Sequence, residues 1–164
     1  MLDELRNKLL EYIRDNNPDV LFQLEQEAGL TQYLNQKLND VADLIERMKK
    51  ERQPGYLIET ICLDQMTNEL RPSKYNYICN ILSEEFEKEF SQMVNAGLLQ
   101  YEVINIVTYC LPIFEDLRFS EETADNRFTR YAIAGMISEY LESNSVKEKV
   151  SNGLQQSAKT QGQY

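Results

Sequence analysis

Apolar residues recur every three or four positions along most of this chain, and this spacing restricts the fold more than any other feature does. Near the start, one face collects Leu2, Leu5, Leu9, Tyr12 and Ile13. A second run follows steps of four and three through Leu34, Leu38, Val41, Ile45 and Met48. Residues spaced in this way lie on one side of an α-helix. Because the second run covers only about two heptads, it predicts packing within the domain rather than a free coiled coil, which needs at least ~3–4 heptads.

Turn-forming residues divide these helical runs from one another. Asn17 can cap a helix whose first residue is Pro18. Gly29 and Gly97 fit the left-handed residue that ends many helices. Ser120, followed by two glutamates, predicts the start of the last strong helix, because acids are favoured in a first helical turn. The chain therefore divides into short helices with turns between them.

Two stretches fit a strand as well as a helix. "YLIETICL" at 56–63 and "YEVINIVTYCL" at 101–111 are rich in Tyr, Val, Ile and Thr, which strands favour. Two isolated strands would have to pair and find a covering layer, and both stretches are bounded as helices are. We therefore predict helix for both. Pro112 predicts a kink or an end of the second one.

A glycine-containing stretch lies within the last strong helix. Ala132, Ala134 and Gly135 are small enough to allow a neighbouring helix to approach closely. A glycine inside a helix costs about 1 kcal/mol relative to alanine. This cost predicts that packing requires the glycine.

These patterns predict an all-α fold, an irregular bundle of six or seven helices in a single domain over residues 1–142. Residues 143–164 are polar and read as a flexible C-terminal tail. The apolar residues of a stripe along this tail are Val146, Val150 and Leu154. The alternative for this stripe is a helix that docks on a partner.

Net charge limits the ligands that such a domain can bind. The chain has 164 residues and a formal net charge of −10. Phosphate recognition needs clustered cations, so we expect neither nucleic acid nor a membrane surface as a partner. No stretch resembles a signal peptide or offers the ~20 apolar residues of a membrane span. We expect a soluble cytoplasmic protein that binds a protein partner. If electrostatic attraction selects this partner, the partner is basic.

The side chains most used in catalysis are scarce. Histidine is absent, which removes Ser-His-Asp and Cys-His sites from this chain. Cys62, Cys79 and Cys110 are far apart in sequence and read as free cysteines of a reducing compartment. No glycine-rich phosphate-binding motif occurs. We therefore predict that the protein is not an enzyme and needs no cofactor.

A run of glutamates between Ser83 and Phe90 offers the one arrangement typical of a metal site. On a single helix over residues 71–94, Glu85 and Glu89 stand one turn apart beside the apolar face. An all-carboxylate site needs acids from other helices as well, and the spacing does not place any there. The favoured interpretation is a solvated face, and the alternative is a weak divalent-cation site at Glu85 and Glu89.

Tyrosines are frequent, and their positions relative to the apolar faces predict where they lie. Seven of them fall on or beside apolar faces: Tyr12, Tyr33, Tyr75, Tyr101, Tyr109, Tyr131 and Tyr140. A tyrosine presents an apolar ring and a polar tip, so we expect these at the edge of the core. Base stacking is the functional alternative, which the negative charge disfavours.

The run "LRPSKYNYICNILSEEFE" at Leu70–Glu87 carries a resemblance. Its Ser-Lys-Tyr step precedes an apolar helix that ends in Glu-Glu-Phe. With the acid-rich helices around it, from about Leu34 to Leu141, the run resembles a small all-helical domain family of unknown function. That family occurs in Bacteroidetes, often near conjugative-transposon-type mobile elements. The resemblance implies an all-α fold of about six helices and carries over no catalytic residue.

These observations predict a non-enzymatic interaction or accessory protein. Two alternatives remain open. One is a carboxylate-based protein or enzyme that binds a divalent metal. The other is an acidic, antitoxin-like inhibitor of a basic partner.

Overall fold

The computed structural model describes the backbone of residues 1–161 and the side chains of residues 1–144, and every regular element in it is helical. Its α-helices are α1 (Leu2–Asn16), α2 (Pro18–Gln26), α3 (Leu30–Lys50), α4 (Gly55–Thr67), α5 (Lys74–Glu85), α6 (Glu87–Asn95), α7 (Leu99–Asp116) and α8 (Arg127–Gln161). A short 3₁₀ helix, Asn68–Leu70, follows α4. The predicted all-α class is confirmed. Both ambiguous stretches are helical, since they lie in α4 and α7.

The chain divides into two compact units, Met1–Val107 and Thr108–Tyr164, and the division falls within α7. One buried apolar cluster of the first unit is built from α1, α3, α4 and the 3₁₀ helix. It contains Leu5, Leu9, Ile13, Leu34, Val41, Ile45, Met48, Ile58, Cys62, Met66 and Leu70. The seam predicted on α3 is thus packed inside this unit. At ~25 cal/mol per Å² of apolar surface removed from water, such burial is the main favourable term of folding.

The start of α5 is tied to the junction between α1 and α2. The Ser73 side chain accepts a hydrogen bond from the Asn76 backbone N–H at 3.0 Å, and it donates to the carbonyl of Asn16. The Asn17 amide donates to the Leu70 carbonyl at 3.1 Å. These bonds occupy polar groups that would otherwise be unpaired at helix ends. The Ser-Lys-Tyr step therefore has a structural role.

One long helix predicted over residues 71–94 is two helices. The backbone at Phe86 leaves the helical region, with φ −131° and ψ 49°, and the same residue ends α5 and begins α6. The prediction was wrong because no proline, glycine or capping side chain marks this position. The Phe86 N–H still bonds to the Leu82 carbonyl, and the Phe86 carbonyl accepts the Phe90 N–H. The break therefore costs little backbone hydrogen bonding.

In the second unit, α8 begins later than predicted. Residues 121–125 form turns, and just before them the Ser120 N–H bonds to the Thr123 hydroxyl at 2.8 Å. The helix starts at Arg127, where the Asn126 side chain accepts the Phe128 N–H at 2.9 Å. Asparagine is as good a cap as serine, so the sequence offered two starts and the second is used.

Pro112 lies inside α7 and does not end it, because the helix continues to Asp116. Beyond it, the rings of Phe114 and Phe119 meet edge to face, with centroids 4.8 Å apart. Such a pair is worth about 0.5–1.5 kcal/mol beyond the area it buries. It joins the end of α7 to the turns that precede α8.

The boundary predicted at residue 142 lies within α8, which is helical to Gln161. Val146, Val150 and Leu154 are on this helix, but their side chains lie outside the described residues. The flexible tail and its docking stripe therefore stay predictions.

Candidate protein-binding site

The outward side of α8 carries two aromatic rings in water. Phe128 is 80% exposed and Tyr131 is 65% exposed. Three more exposed residues follow on the same side of the helix at steps of four, four and three: Gly135, Glu139 and Glu142. Residues at these steps share one face of a helix. We call this set, Phe128, Tyr131, Gly135, Glu139 and Glu142, the α8 face.

The rotation of α8 is set by the opposite side. Thr129, Ile133 and Ile137 are buried, at 4%, 0% and 0% exposure. Because these residues recur every four positions, they form one stripe, and burying it turns the α8 face outward. Burial of a phenylalanine side chain is worth about 1.5–3 kcal/mol. Because Phe128 is 80% exposed, the folded chain lacks most of this stabilisation at that position.

Gly135 lies between the aromatic and the acidic halves of the α8 face. A methyl group added there would meet nothing within 4 Å in the part of the chain that the structure describes. The expectation that a neighbouring helix requires this glycine is thus wrong for the described part of the molecule. Glycine here destabilises the helix by about 1 kcal/mol relative to alanine, and no close packing contact with the described residues offsets that cost at this position.

The second half of the α8 face is acidic and partly anchored. The Tyr109 hydroxyl donates a hydrogen bond to Glu139, which raises the pKa of Tyr109. The Tyr109 ring also meets the Tyr140 ring edge to face, with centroids 5.5 Å apart. Glu142, one turn further along α8, is exposed. The α8 face is therefore apolar at its start and negative at its end.

Most of the predicted core-edge tyrosines lie where expected, but two do not. Tyr12, Tyr33, Tyr75, Tyr109 and Tyr140 are half-buried. Tyr101 is 64% exposed and Tyr131 is 65% exposed. Sequence reasoning missed Tyr131 as a surface residue, and it did not single out Phe128. The missed signal is the Thr129, Ile133 and Ile137 stripe, which turns both rings outward.

The glutamates proposed as a weak cation site lie on different helices. Glu85 ends α5, whereas Glu89 is in the first turn of α6, so the single-helix geometry assumed for them is wrong. Glu85 is exposed and Glu89 is half-buried. Among the residues with described side chains, no three His, Cys, Asp or Glu are grouped in a way that could hold a metal ion.

The thiols are free and shielded. Cys62 and Cys110 are buried and Cys79 is half-buried. Burial raises the pKa of all three, to about 11 for Cys79 and to about 12 for Cys110. A thiol is nucleophilic as the thiolate, so these side chains are poorly reactive at neutral pH.

An open groove lies beside the start of α3. Its volume is about 670 Å³, and it is lined by Ala28, Thr31, Gln32, Asn35, Gln36 and Asn39. Arg6 donates to Asn35 at 2.5 Å, and Gln36 donates to Asp40 at 2.9 Å. These lining side chains are neutral and exposed, and ligand sites are more often apolar and enclosed. The groove offers hydrogen bonds without a charge or a nucleophile.

No protein family, curated protein or solved structure matches this chain. The resemblance to the mobile-element-associated family therefore stays a prediction. No helix in the described part of the chain combines the length and the apolar character needed to cross a lipid bilayer.

Proposed function

We propose that this protein is a non-enzymatic interaction protein and that the α8 face is its binding surface. The observation that carries the proposal is the exposure of two aromatic rings one turn apart, Phe128 at 80% and Tyr131 at 65%. Exposed aromatics are enriched at binding hot spots, because they bury a large area with few rotatable bonds. The cytoplasm is the proposed location, on the support of three free cysteines.

The magnitudes support a specific but moderate interaction. Full burial of the two rings is worth roughly 3–6 kcal/mol. Association itself costs about 4–15 kcal/mol, so the rings have to be joined by further contacts to reach a micromolar dissociation constant, which corresponds to about −8 kcal/mol. Gly135 and the two glutamates extend the face for such contacts.

The two alternative functions, metal binding and inhibition of a basic partner, would use different residues. A carboxylate-based metal protein would use Glu85 and Glu89, and calorimetry with Mg²⁺, Mn²⁺ and Ca²⁺ tests it directly. An acidic inhibitor of a basic partner would use the charge of −10, and it is compatible with the α8 face as the contact surface.

Site-specific photo-crosslinking in the native cells tests the proposal. A photoreactive phenylalanine analogue replaces Phe128 or Tyr131 in separate variants. The matched control places it at Tyr101, which has nearly the same exposure, 64%. We expect a discrete crosslinked protein from positions 128 and 131 and none from position 101. Crosslinking at 101 alone, or at no position, would contradict the proposal.

A further inference from the structure

We infer that the partner presents a basic amphipathic helix to the α8 face. This inference rests on the proposed function and adds the class of its partner. It follows from the order of groups along α8, where two exposed aromatics come first and two exposed glutamates come last. A complementary segment needs apolar side chains at one end and Lys or Arg at the other.

The spacing defines this segment further. At 1.5 Å per residue, Tyr131 and Glu139 are separated by about 12 Å along α8, and Phe128 and Glu142 by about 21 Å. An occupant helix therefore places its basic residues two to four turns from its apolar ones. A helix of about fourteen or more residues is long enough to engage both halves.

Gly135 favours a helix as the occupant. It stands at the middle of the α8 face, and space for an added methyl group is open around it in the described structure. Helices pack 8–10 Å apart depending on the side chains at the contact, and a glycine allows the closest approach. An occupant crossing at Gly135 would also bury the backbone that the missing side chain exposes.

Charge excludes the obvious alternatives for this face. In a parallel pair with a second copy, Glu139 and Glu142 would meet the same glutamates. In an antiparallel pair about Gly135, Phe128 would meet Glu142 and Tyr131 would meet Glu139, so neither order pairs apolar with apolar and charge with opposite charge. Nucleic acid would bring phosphates to the glutamates. A basic helix satisfies both halves.

Designed peptides of one composition test the inference with the full-length protein. Each peptide is an amidated 18-residue helix former with two leucines one turn apart and two lysines three turns beyond them. One peptide has the leucines first and another has the lysines first, which covers both helix directions. A third and a fourth replace the lysines with glutamates. Fluorescence anisotropy of labelled peptides gives the dissociation constants at low and at physiological salt.

We expect one lysine peptide to bind in the micromolar range, at least about tenfold more tightly than its glutamate counterpart. The double variant Phe128→Ala/Tyr131→Ala should lose most of this binding. The double variant Glu139→Gln/Glu142→Gln should weaken it by about fivefold or more. The matched control is Glu121→Gln/Glu122→Gln, which removes the same charge from two exposed residues in the turns before α8 and should leave the affinity unchanged.

Three results would overturn the inference. The first is that Glu139→Gln/Glu142→Gln and Glu121→Gln/Glu122→Gln weaken peptide binding equally. The second is that the lysine and glutamate peptides bind with the same affinity. The third is that neither lysine peptide binds at millimolar concentration. Any of these, obtained while crosslinking at positions 128 and 131 succeeds, would remove the basic helix and leave the proposed function standing. Failure of the crosslinking would remove the binding surface itself.

Discussion

In the part of the backbone that the structure describes, residues with a left-handed conformation end four helices, and one of these residues is glycine. Ala28, Arg52 and Arg118 have φ of 53°, 58° and 51°, whereas Gly97 has φ of 70°. In each case the next N–H bonds back to the carbonyl five residues earlier, as between Leu98 and Met93 at 2.9 Å. This is the Schellman arrangement, which glycine adopts without strain. The sequence contains Ala-Gly three times. At the two copies that end a helix, the alanine at 28 but the glycine at 97 takes the left-handed position.

Ala28→Gly should stabilise the protein. Left-handed strain in a residue with a Cβ costs about 1–2 kcal/mol, and the added flexibility of the unfolded chain takes back about 0.4–1 kcal/mol. We expect the free energy of unfolding in urea to rise by about 0.5–1 kcal/mol. Ala96→Gly is the matched control, since Ala96 is also exposed and precedes a glycine but has φ of −80°. It should lose about 0.5–1 kcal/mol. A loss in both variants would contradict the assigned left-handed strain.

Asp19, in the first turn of α2, has a buried oxygen without a hydrogen-bond partner. Burial raises the pKa of this carboxyl group, against backbone hydrogen bonds and Lys74, which lower it. A raised pKa means that the folded state binds a proton more tightly than the unfolded state. The stability that this proton provides is present below the ordinary pKa of 3.8 and is lost as the pH rises through the folded-state pKa.

Asp19→Asn should therefore be more stable than the natural protein at pH 7, by about 1 kcal/mol. The difference should shrink as the pH falls towards 4, because the natural side chain then becomes neutral as well. Urea titrations of both proteins between pH 4 and pH 7 measure it. A less stable variant at pH 7 would mean that the helix dipole and Lys74 outweigh the burial of the charge.

Among the elements, α5 depends most clearly on one side chain. The Ser73 hydroxyl caps α5 and also bonds to the Asn16 carbonyl at the end of α1. One residue thus satisfies groups on two helices, and it lies 57 positions from Asn16 in sequence. The Ser-Lys-Tyr step thus ties the start of α5 to the end of α1.

Ser73→Ala should lower the free energy of unfolding by about 1–2 kcal/mol, because it removes a cap and leaves a carbonyl unpaired. Ser83→Ala is the control within the same helix. Its hydroxyl bonds only to the Asn80 carbonyl one turn back, at 3.0 Å, so its removal should change the stability by less than about 0.5 kcal/mol. Equal effects of the two substitutions would show that the contact with Asn16 contributes nothing.

Periodicity predicted the helices well where one apolar face is continuous, as on α1 and α3, because burial of that face decides the structure. It failed at Phe86 and at the start of α8. Phe86 carries no breaking signal, and both Ser120 and Asn126 are good caps. Choosing between such alternatives requires knowing which side chains find a neighbour, and local sequence does not contain that information.

The candidate site was harder to predict than the fold. Phenylalanine also occupies a buried position, Phe114 in α7, so residue type alone does not mark Phe128 as exposed. Only the competing stripe of Thr129, Ile133 and Ile137 separates the two sides, and it becomes visible once the helix is known to start at Arg127. The docking stripe predicted at Val146, Val150 and Leu154 lies outside the residues with described side chains and stays a prediction.

At the scale of the whole molecule, the thiols report on the integrity of the fold. Cys62 and Cys110 are 0% exposed, and burial raises the pKa of both. We expect neither to react with a maleimide in the native state at pH 7.5, while Cys79 reacts slowly and all three react in urea. Mass spectrometry counts the labels. Native labelling of Cys62 or Cys110 at the rate of an exposed cysteine would show that these regions open far more readily than their packing implies.

The central claim is that the α8 face serves binding and not folding. The most direct test is the dissociation constant for the partner captured at position 131. It is measured for the natural protein, Phe128→Ala/Tyr131→Ala and Tyr101→Ala, after their melting temperatures have been shown to agree. Because both rings are exposed, the double variant should keep its stability within about 0.5 kcal/mol per site. We expect its affinity to fall by at least about tenfold, as removal of hot-spot aromatics does, and that of Tyr101→Ala to stay unchanged. A folded double variant that binds as tightly as the natural protein would contradict the claim.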